Sequence, residues 1–394
     1  MNLAWAEFLQ GLSGVLVEAE DQHRRRSLRP LGRGPGGRVH LEDGRVLIDV
    51  SSNDYLGLAM HPLVRTRAAD YAQRLGGSAP SSRLVTGTLP EHLAVEARLA
   101  AFKRTDAALL FASGYQANAS VLPTLIELMA APVKVFADRL NHASLHAGLA
   151  QAGVRQIRFR HNDLDHLERQ LQAADNQGRT RLIVTESVFS MDGDRADLQG
   201  LLSLADRYDA ILYVDEAHAT GMLGPHGAGL CAALPKGAPA VVMGTLGKAL
   251  GGFGAYVAGP RTLIDVLVQR CGGFIYSTAP PPAVLGALDA ALDLVPGMDA
   301  ERERLLKAAA RVREAAEARG FPTFGSSTQI VPIGLGAERG ALNAMRTLEE
   351  AGLMAVAIRP PTVAEGASRL RISLSAAHED AVIDRLIEAI GEIR

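Results

Sequence analysis

Short unbroken apolar runs alternate along this chain with longer stretches in which apolar residues recur every three or four positions. Between residues 107 and 258 the runs are AALLF, VKVFAD, QIRFR, RLIVTES, ILYVDEAH, AVVMGT and GAYVAG, each bounded by turn-forming residues. Runs of that length predict strands buried on both faces, and the helical-period segments between them predict crossovers. The pattern therefore calls for an α/β fold with a largely parallel, partly mixed sheet flanked by helices. Ligands in such sheets bind beyond the carboxyl ends of strands, which directs attention to the residues just after each run.

The flanks read differently. Leu3, Phe8, Leu9, Leu12, Val15 and Leu16 fall on near-helical spacing and predict a surface helix over residues 3–26. A Gly/Pro/Arg-rich connector, RPLGRGPGGR, precedes VLIDVSSNDYLGL, which predicts a strand and then a turn at Asn53, Asp54 and Gly57. APPPA at residues 279–283 interrupts the alternation, and one long helical stretch is expected from Val284 to Arg319. Strands QIVPIGLG and RLRISLS then alternate with helical GALNAMRTLEEAG and DAVIDRLIEAIGEIR. The expected organisation is an N-terminal helix and connector over 1–45, a large α/β domain over 46–285 and a smaller C-terminal α/β domain over 286–394.

Composition narrows the classes. The 394 residues are 47% hydrophobic and 21% charged, as in globular proteins, and need no small-domain staple. Lys plus Arg number 41 against 43 Asp plus Glu, a net charge of −2, so no broad basic surface for nucleic acid is expected. The dense basic run HRRR at residues 23–26 would by itself read as a solvated helix end. Cys231 and Cys271 form no CxxC pair, which fits a reducing compartment, and the scattered His142, His146, His218 and His226 have no metal-ligand spacing. The first residues lack a basic leader and a membrane-length apolar run, so a soluble cytoplasmic protein with no membrane partner is expected.

The stretch VVMGTLGKALGGFGAYVAG contains one charged group, Lys248, and an ammonium among apolar residues and glycines is costly unless paired, neutral or covalently used. ILYVDEAHATG puts Asp215 at the mouth of a buried strand with His218 three residues on, and the tetrapeptide DEAH raises the alternative of a nucleotide-driven motor. That alternative fails on the phosphate cradle: GTLGKA has two residues between Gly244 and Gly247 and an alanine where a P-loop needs a hydroxyl. It fails again on order, because the lysine follows the acidic box. LLFASGYQAN passes from strand to helix through Ser113, Gly114 and Tyr115, where backbone N–H groups and a helix dipole could meet a phosphate. Glu186, Ser187 and Ser190 follow RLIVT, His142 follows VFADRLN, and Thr245 precedes Lys248 by three residues. Each fragment alone is an ordinary turn. Together, a phosphate cradle, an acid for a pyridinium nitrogen and an imine-forming amine match the needs of pyridoxal 5'-phosphate (PLP).

Over nearly the whole chain the motifs SSNDYLGL, DRLNHASLHAG, ESVFSMDGD, VDEAHATG, GTLGKALGG, IYSTAPPP, RPPTV and RLRISLSAAH resemble those of the α-oxoamine synthases, fold-type I PLP enzymes. The resemblance implies that Lys248 forms the imine with the cofactor, Asp215 binds its ring nitrogen, His218 its phenolic oxygen, and His142 stacks on the ring. It makes Ser113, Gly114, Tyr115, Glu186, Ser190 and Thr245 further cofactor contacts. Ser277 and Thr278 would reach the phosphate in a neighbouring subunit, so a homodimer with shared active sites is expected. Arg371 would hold the amino-acid carboxylate with Asn53 close by, Thr362 beside Arg359 would contact the amino acid, and Arg24, inside the basic run, would take the distal carboxylate of a pimeloyl chain. The branch most resembled condenses L-alanine with a pimeloyl thioester, on CoA or an acyl carrier protein. Relatives that use glycine or serine, of the glycine C-acetyltransferase, 5-aminolevulinate synthase and serine palmitoyltransferase types, stay as alternatives, as does a PLP aminotransferase. Two departures bear on the acyl pocket: Ala79-Pro80-Ser81 stands where relatives carry more glycine, and Val363 lacks the frequent following proline.

Overall fold

The computed structural model describes residues 2–129, 132–173 and 180–393. They fall into two compact units, a larger one of residues 53–190 and 194–304 and a smaller one of residues 1–52, 191–193 and 305–394.

In the larger unit all seven expected runs are strands of one sheet. Their order in space is Ala107–Phe111, Ala255–Gly259, Ala240–Thr245, Ala210–Asp215, Thr180–Glu186, Val133–Asp138, Gln156–Phe159. Neighbours pair in parallel, except that Ala255–Gly259 runs antiparallel to both strands beside it. The carboxyl ends of six strands thus share one edge with the amino end of the seventh. Register then fixes who meets whom there: Thr245 and Phe111 both pair with Ala255, and Asp215 sits between Glu186 and Met243.

The runs are unbroken because both faces are covered. Val135 and Ala137 pack with Val121, Leu122 and Leu145 on one side, while Phe136 between them packs with Leu167, Leu171 and Leu201 on the other. Each buried Val, Leu or Phe side chain among them contributes about 1.5–3 kcal/mol of transfer free energy. The helix Gly114–Leu128 starts where the strand Ala107–Phe111 ends, and Ser113 caps it by accepting the Gln116 N–H at 3.1 Å.

The smaller unit holds an antiparallel sheet in the order Ile330–Gly336, Ser368–Ser373, Val356–Ile358. A second sheet joins Gly32–Arg33, Arg38–His40 and Val46–Asp49 to Leu353–Met354, the last pair being parallel. Among the described residues no helix is long and apolar enough to cross a membrane.

Three expectations differ from what is found. The first helix is Leu3–Asp21, and the basic run lies outside it because His23 takes φ +54°, beyond helical space. The long helix expected from Val284 is two, Pro282–Leu294 and Asp299–Glu317, parted where Pro296 withdraws a backbone donor. The unit boundaries also fall elsewhere than 45 and 285. Strand Val46–Asp49 pairs with residues near the C-terminus, with Val50 N–H donating to Met354 O, so residues 46–52 belong to the smaller unit. Helix Pro282–Leu294 stays with the larger one, where Gly286 lets it approach helix Pro62–Leu75 so closely that a Cβ would stand 2.4 Å from Arg67 O.

Candidate active site

At the shared strand edge of the larger unit, the connection after strand Ala240–Thr245 brings Lys248 Nζ to 2.8 Å from His218 Nε2. The other imidazole nitrogen, Nδ1, is 2.6 Å from the Tyr55 hydroxyl, which in turn donates to Asn53 Oδ1 at 3.1 Å. One proton arrangement satisfies all three bonds: Nδ1 donates to Tyr55, leaving the Nε2 lone pair to accept from the Lys248 amine. Asn53 is thereby tied to the lysine through two intermediates.

Asp215, 3% exposed, accepts from Ala217 N–H at 2.8 Å and from Asn118 Nδ2 at 2.9 Å. Among the described residues no cationic side chain lies within ion-pair distance of it, so a buried carboxylate is served by neutral donors alone. Such a carboxylate suits a ligand that brings its own protonated nitrogen. Asn118 is held in turn, its Oδ1 accepting from the buried Tyr213 hydroxyl at 2.9 Å. Its amide also reaches Ser144 Oγ at 2.9 Å, and Ser144 Oγ lies 2.7 Å from His142 Nδ1.

His142 caps the helix Ala143–Gln151, its Nδ1 accepting the Ser144 N–H at 3.2 Å. Desolvation by the surrounding protein lowers its pKa; Asp215 opposes this and Lys248 reinforces it, so the imidazole is neutral near pH 7. Its backbone N–H donates to Glu186 Oε1 at 2.6 Å. Burial pushes the Glu186 carboxyl well above its usual range, and the neighbouring Asp215 charge adds to that.

At the first turn of helix Gly114–Leu128 a Cβ on residue 114 would lie 2.6 Å from Thr245 Cγ2. Glycine there lets the first turn come close to the end of strand Ala240–Thr245; Ser113 takes the Gln116 N–H, and residues 114 and 115 have no carbonyl one turn back within the helix to bond. This helix start, the buried Asp215 carboxylate and the amine of Lys248 fit the phosphate, ring nitrogen and aldehyde of PLP. Ser277 is linked to the same helix through Gln116 Nε2, which also donates to Gly273 O at 2.7 Å. Tyr115 and Thr278 are exposed, and Ser190 is half-buried after strand Thr180–Glu186.

The larger unit thus gathers Lys248, His218, Asp215, His142, Glu186, Asn53, Ser113, Gly114 and Thr245. Tyr115, Ser190, Ser277 and Thr278 belong to the same unit, whereas Arg24, Arg359, Thr362 and Arg371 lie in the smaller one. Arg371 is buried and donates from Nη1 to Ser373 Oγ at 2.7 Å. Arg24 pairs with Glu338 at 2.7 Å and Glu365 at 3.2 Å, which raises its pKa above the ordinary guanidinium value. Arg359 donates to the carbonyl of His23, and Thr362 Oγ1 accepts from Arg26 Nη2 at 3.3 Å.

Asn118, Ser144, Tyr213 and Tyr55 did not emerge from the sequence. One signal could have found Asn118: it stands four residues after Gly114 and therefore on the same helix face. Tyr55 stands two residues after Asn53, inside a motif already singled out.

The chain belongs to the aminotransferase class I and II family, whose model matches residues 45–390. Within it the chain is similar to the 8-amino-7-oxononanoate synthase of Gluconacetobacter diazotrophicus, 57% identical over 382 residues, covering 96% of this chain and 95% of that one. Among solved structures, a serine palmitoyltransferase variant from S. paucimobilis with bound PLP and myriocin superposes with a TM-score of 0.88 at 26% identity, over 99% of this chain and 100% of that chain. The 8-amino-7-oxononanoate synthase of Francisella tularensis gives a TM-score of 0.74 at 27% identity, over 88% of this chain and 97% of that one.

Proposed function

We propose that this chain is a PLP-dependent acyltransferase of the α-oxoamine synthase type, which condenses L-alanine with a pimeloyl thioester to give 8-amino-7-oxononanoate, CO2 and free thiol, a step of biotin biosynthesis. The observation that carries the reading is the Lys248 amine hydrogen-bonded to His218, with a buried Asp215 that among the described residues has no cationic side chain within ion-pair distance, in a chain so similar to proteins of that name. When bound, PLP supplies an electron sink that makes the amino-acid Cα acidic and stabilises loss of the carboxyl group.

The protein's part is to place charges and move protons. Asp215 keeps a proton on the ring nitrogen, and Asn118 and Ala217 hold its carboxylate in one orientation. Lys248 takes the proton from Cα of alanine and returns one after CO2 has left. His218 Nε2 accepts from the Lys248 amine and orients its lone pair, while Tyr55 and Asn53 fix the imidazole tautomer. A lysine suits both duties, because its amine takes a proton on its lone pair and, once protonated, gives it back. Neutral His142 offers a flat face to an aromatic ring. The helix start at Gly114 binds phosphate, with Thr245 beside it. Arg371 grips the amino-acid carboxylate with its planar fork, and Arg24, Arg359 and Thr362 bind the remainder of the substrates.

We also propose a homodimer, in which Ser277 and Thr278 serve the partner's cofactor phosphate. The apolar residues Leu3, Trp5, Phe8, Leu12 and Val15, all exposed on a helix that buries nothing, favour association.

The test is CO2 release and ketone formation with L-alanine and pimeloyl-CoA or a pimeloyl carrier protein. Both are expected. A protein that binds PLP but yields neither, while glycine or serine with another acyl thioester gives product, would move the reading to a different α-oxoamine synthase. Conversion of the cofactor to its amine form by alanine alone would make the protein an aminotransferase.

A further inference from the structure

Glu216 follows Asp215 and precedes His218 by two residues, yet its side chain serves other partners. Its carboxylate is fully buried and accepts from Lys103 Nζ at 2.5 Å and from the Cys231 N–H at 2.8 Å. Its backbone N–H donates to Met243 O at 2.7 Å, and its carbonyl accepts from Ala219 N–H at 3.0 Å and Thr220 N–H at 2.9 Å. Lys103, in the last turn of helix Pro90–Lys103, is 2% exposed and also donates to Ala228 O. Two charges are thus withdrawn from water, which is sustained only where hydrogen bonds complete the pair, as they do here.

The surroundings are shaped to it. Gly229 has φ +94°, and a Cβ there would stand 2.3 Å from Glu216 Oε2 and 2.4 Å from Lys103 Nζ, so the pair needs a glycine at that position. The Tyr256 hydroxyl meets Thr220 Oγ1 at 2.7 Å, and the Tyr256 ring lies 5.5 Å from the Lys103 ammonium. Burial alone would lower the Lys103 pKa, but the Glu216 charge more than reverses it, and the lysine stays protonated. Burial pushes the Tyr256 hydroxyl up to about 12, so it stays neutral. None of these groups belongs to the reacting set. What distinguishes this ion pair from a generic buried one is its point of attachment: it ties residue 216 to helix Pro90–Lys103 and to residues 228 and 231, and residue 216 is bonded directly to Asp215.

We propose that Lys103 is a positioning residue: through buried Glu216 it holds the backbone that presents Asp215 and His218, and so sets the geometry in which His218 receives the Lys248 amine. The inference rests on the PLP reading above. Loss of the ammonium leaves Glu216 buried without its counter-charge, and the backbone around residue 216 must then shift or the carboxyl take up a proton.

The test compares wild type with Lys103→Met and with the double variant Lys103→Met/Glu216→Gln, in which no charge is left buried. PLP uptake by the wild type is measured first; its failure overturns the PLP reading and is thereby told apart from failure of this inference. The three proteins are then compared by the pH midpoint of the visible absorption of bound PLP, by kcat and KM for alanine, and by thermal unfolding. The expected result is that folded variants bind PLP with a midpoint displaced by about half a pH unit or more. Their kcat falls ~10- to 10²-fold, the scale of a misplaced catalytic group, while KM stays close to wild type. If Lys103→Met alone does not fold, the double variant carries the test. Folded variants with the wild-type midpoint and kcat would overturn the proposal, and failure of both variants to fold would assign the pair to folding alone.

Discussion

Among the described residues the Asp215 carboxylate accepts from an amide and a backbone N–H and has no cationic side chain within ion-pair distance, which suits it to a ligand that carries a protonated nitrogen. Asp215→Asn keeps the shape and removes the charge. Bound PLP is expected to remain, and turnover to fall by at least ~10²-fold, since its ring nitrogen loses the anion that keeps it protonated; absorption spectra and kcat check both halves. Lys248→Ala is expected to abolish turnover and the visible absorption of the lysine-bound cofactor, and a variant with normal turnover would remove Lys248 from the mechanism. These residues were legible in the sequence because a lone lysine among glycines, or an acid closing an apolar run, is costly and needs a reason. Lys103 was not, because EARLAAFK reads as a helix ending on a solvated lysine, and only the fold puts Glu216 beside it. Asn118 escaped for a similar reason: an amide carries no charge to demand an explanation.

Helix Gly114–Leu128 carries more of the site than any other element, with Gly114 at its start and Asn118 one turn along. Because a Cβ at 114 would come 2.6 Å from Thr245 Cγ2, Gly114→Val must push the first turn away from the strand end. PLP affinity is expected to drop by about 10-fold or more, the worth of roughly 1.4 kcal/mol, as read by cofactor titration of the apoprotein. Gly77→Ala, where nothing lies within 4 Å of the added methyl, should leave affinity unchanged. The strands were evident at this scale, since burial on both faces leaves an uninterrupted apolar run. The break at Pro296 was missed because helical periodicity resumes on either side of it.

At the scale of the whole molecule, pH dependence of stability has an identifiable source in His161, which lies between Asp138 at 3.1 Å and Asp194 at 2.8 Å. Burial alone would lower its pKa, but the two carboxylates raise it from 6.5 to about 10. Below pH 6.5 folded and unfolded chains both hold the proton and the stabilisation is complete; as pH rises towards 10 only the folded chain holds it, so the contribution fades and is lost beyond. It is expected to be at most about 5 kcal/mol, seen as a urea midpoint that falls across that window in wild type and much less in His161→Gln. The division into units was the least legible feature, because pairing of Val46–Asp49 with Leu353–Met354 joins segments that no local pattern connects. That pairing also sets an order on synthesis. Strand Val46–Asp49 leaves the ribosome early but cannot find its parallel neighbour until some three hundred further residues have been made, so the larger unit can close first and the smaller is completed last. A chain cut short before residue 353 would keep its whole seven-stranded sheet and leave its own beginning without a neighbouring strand on that side.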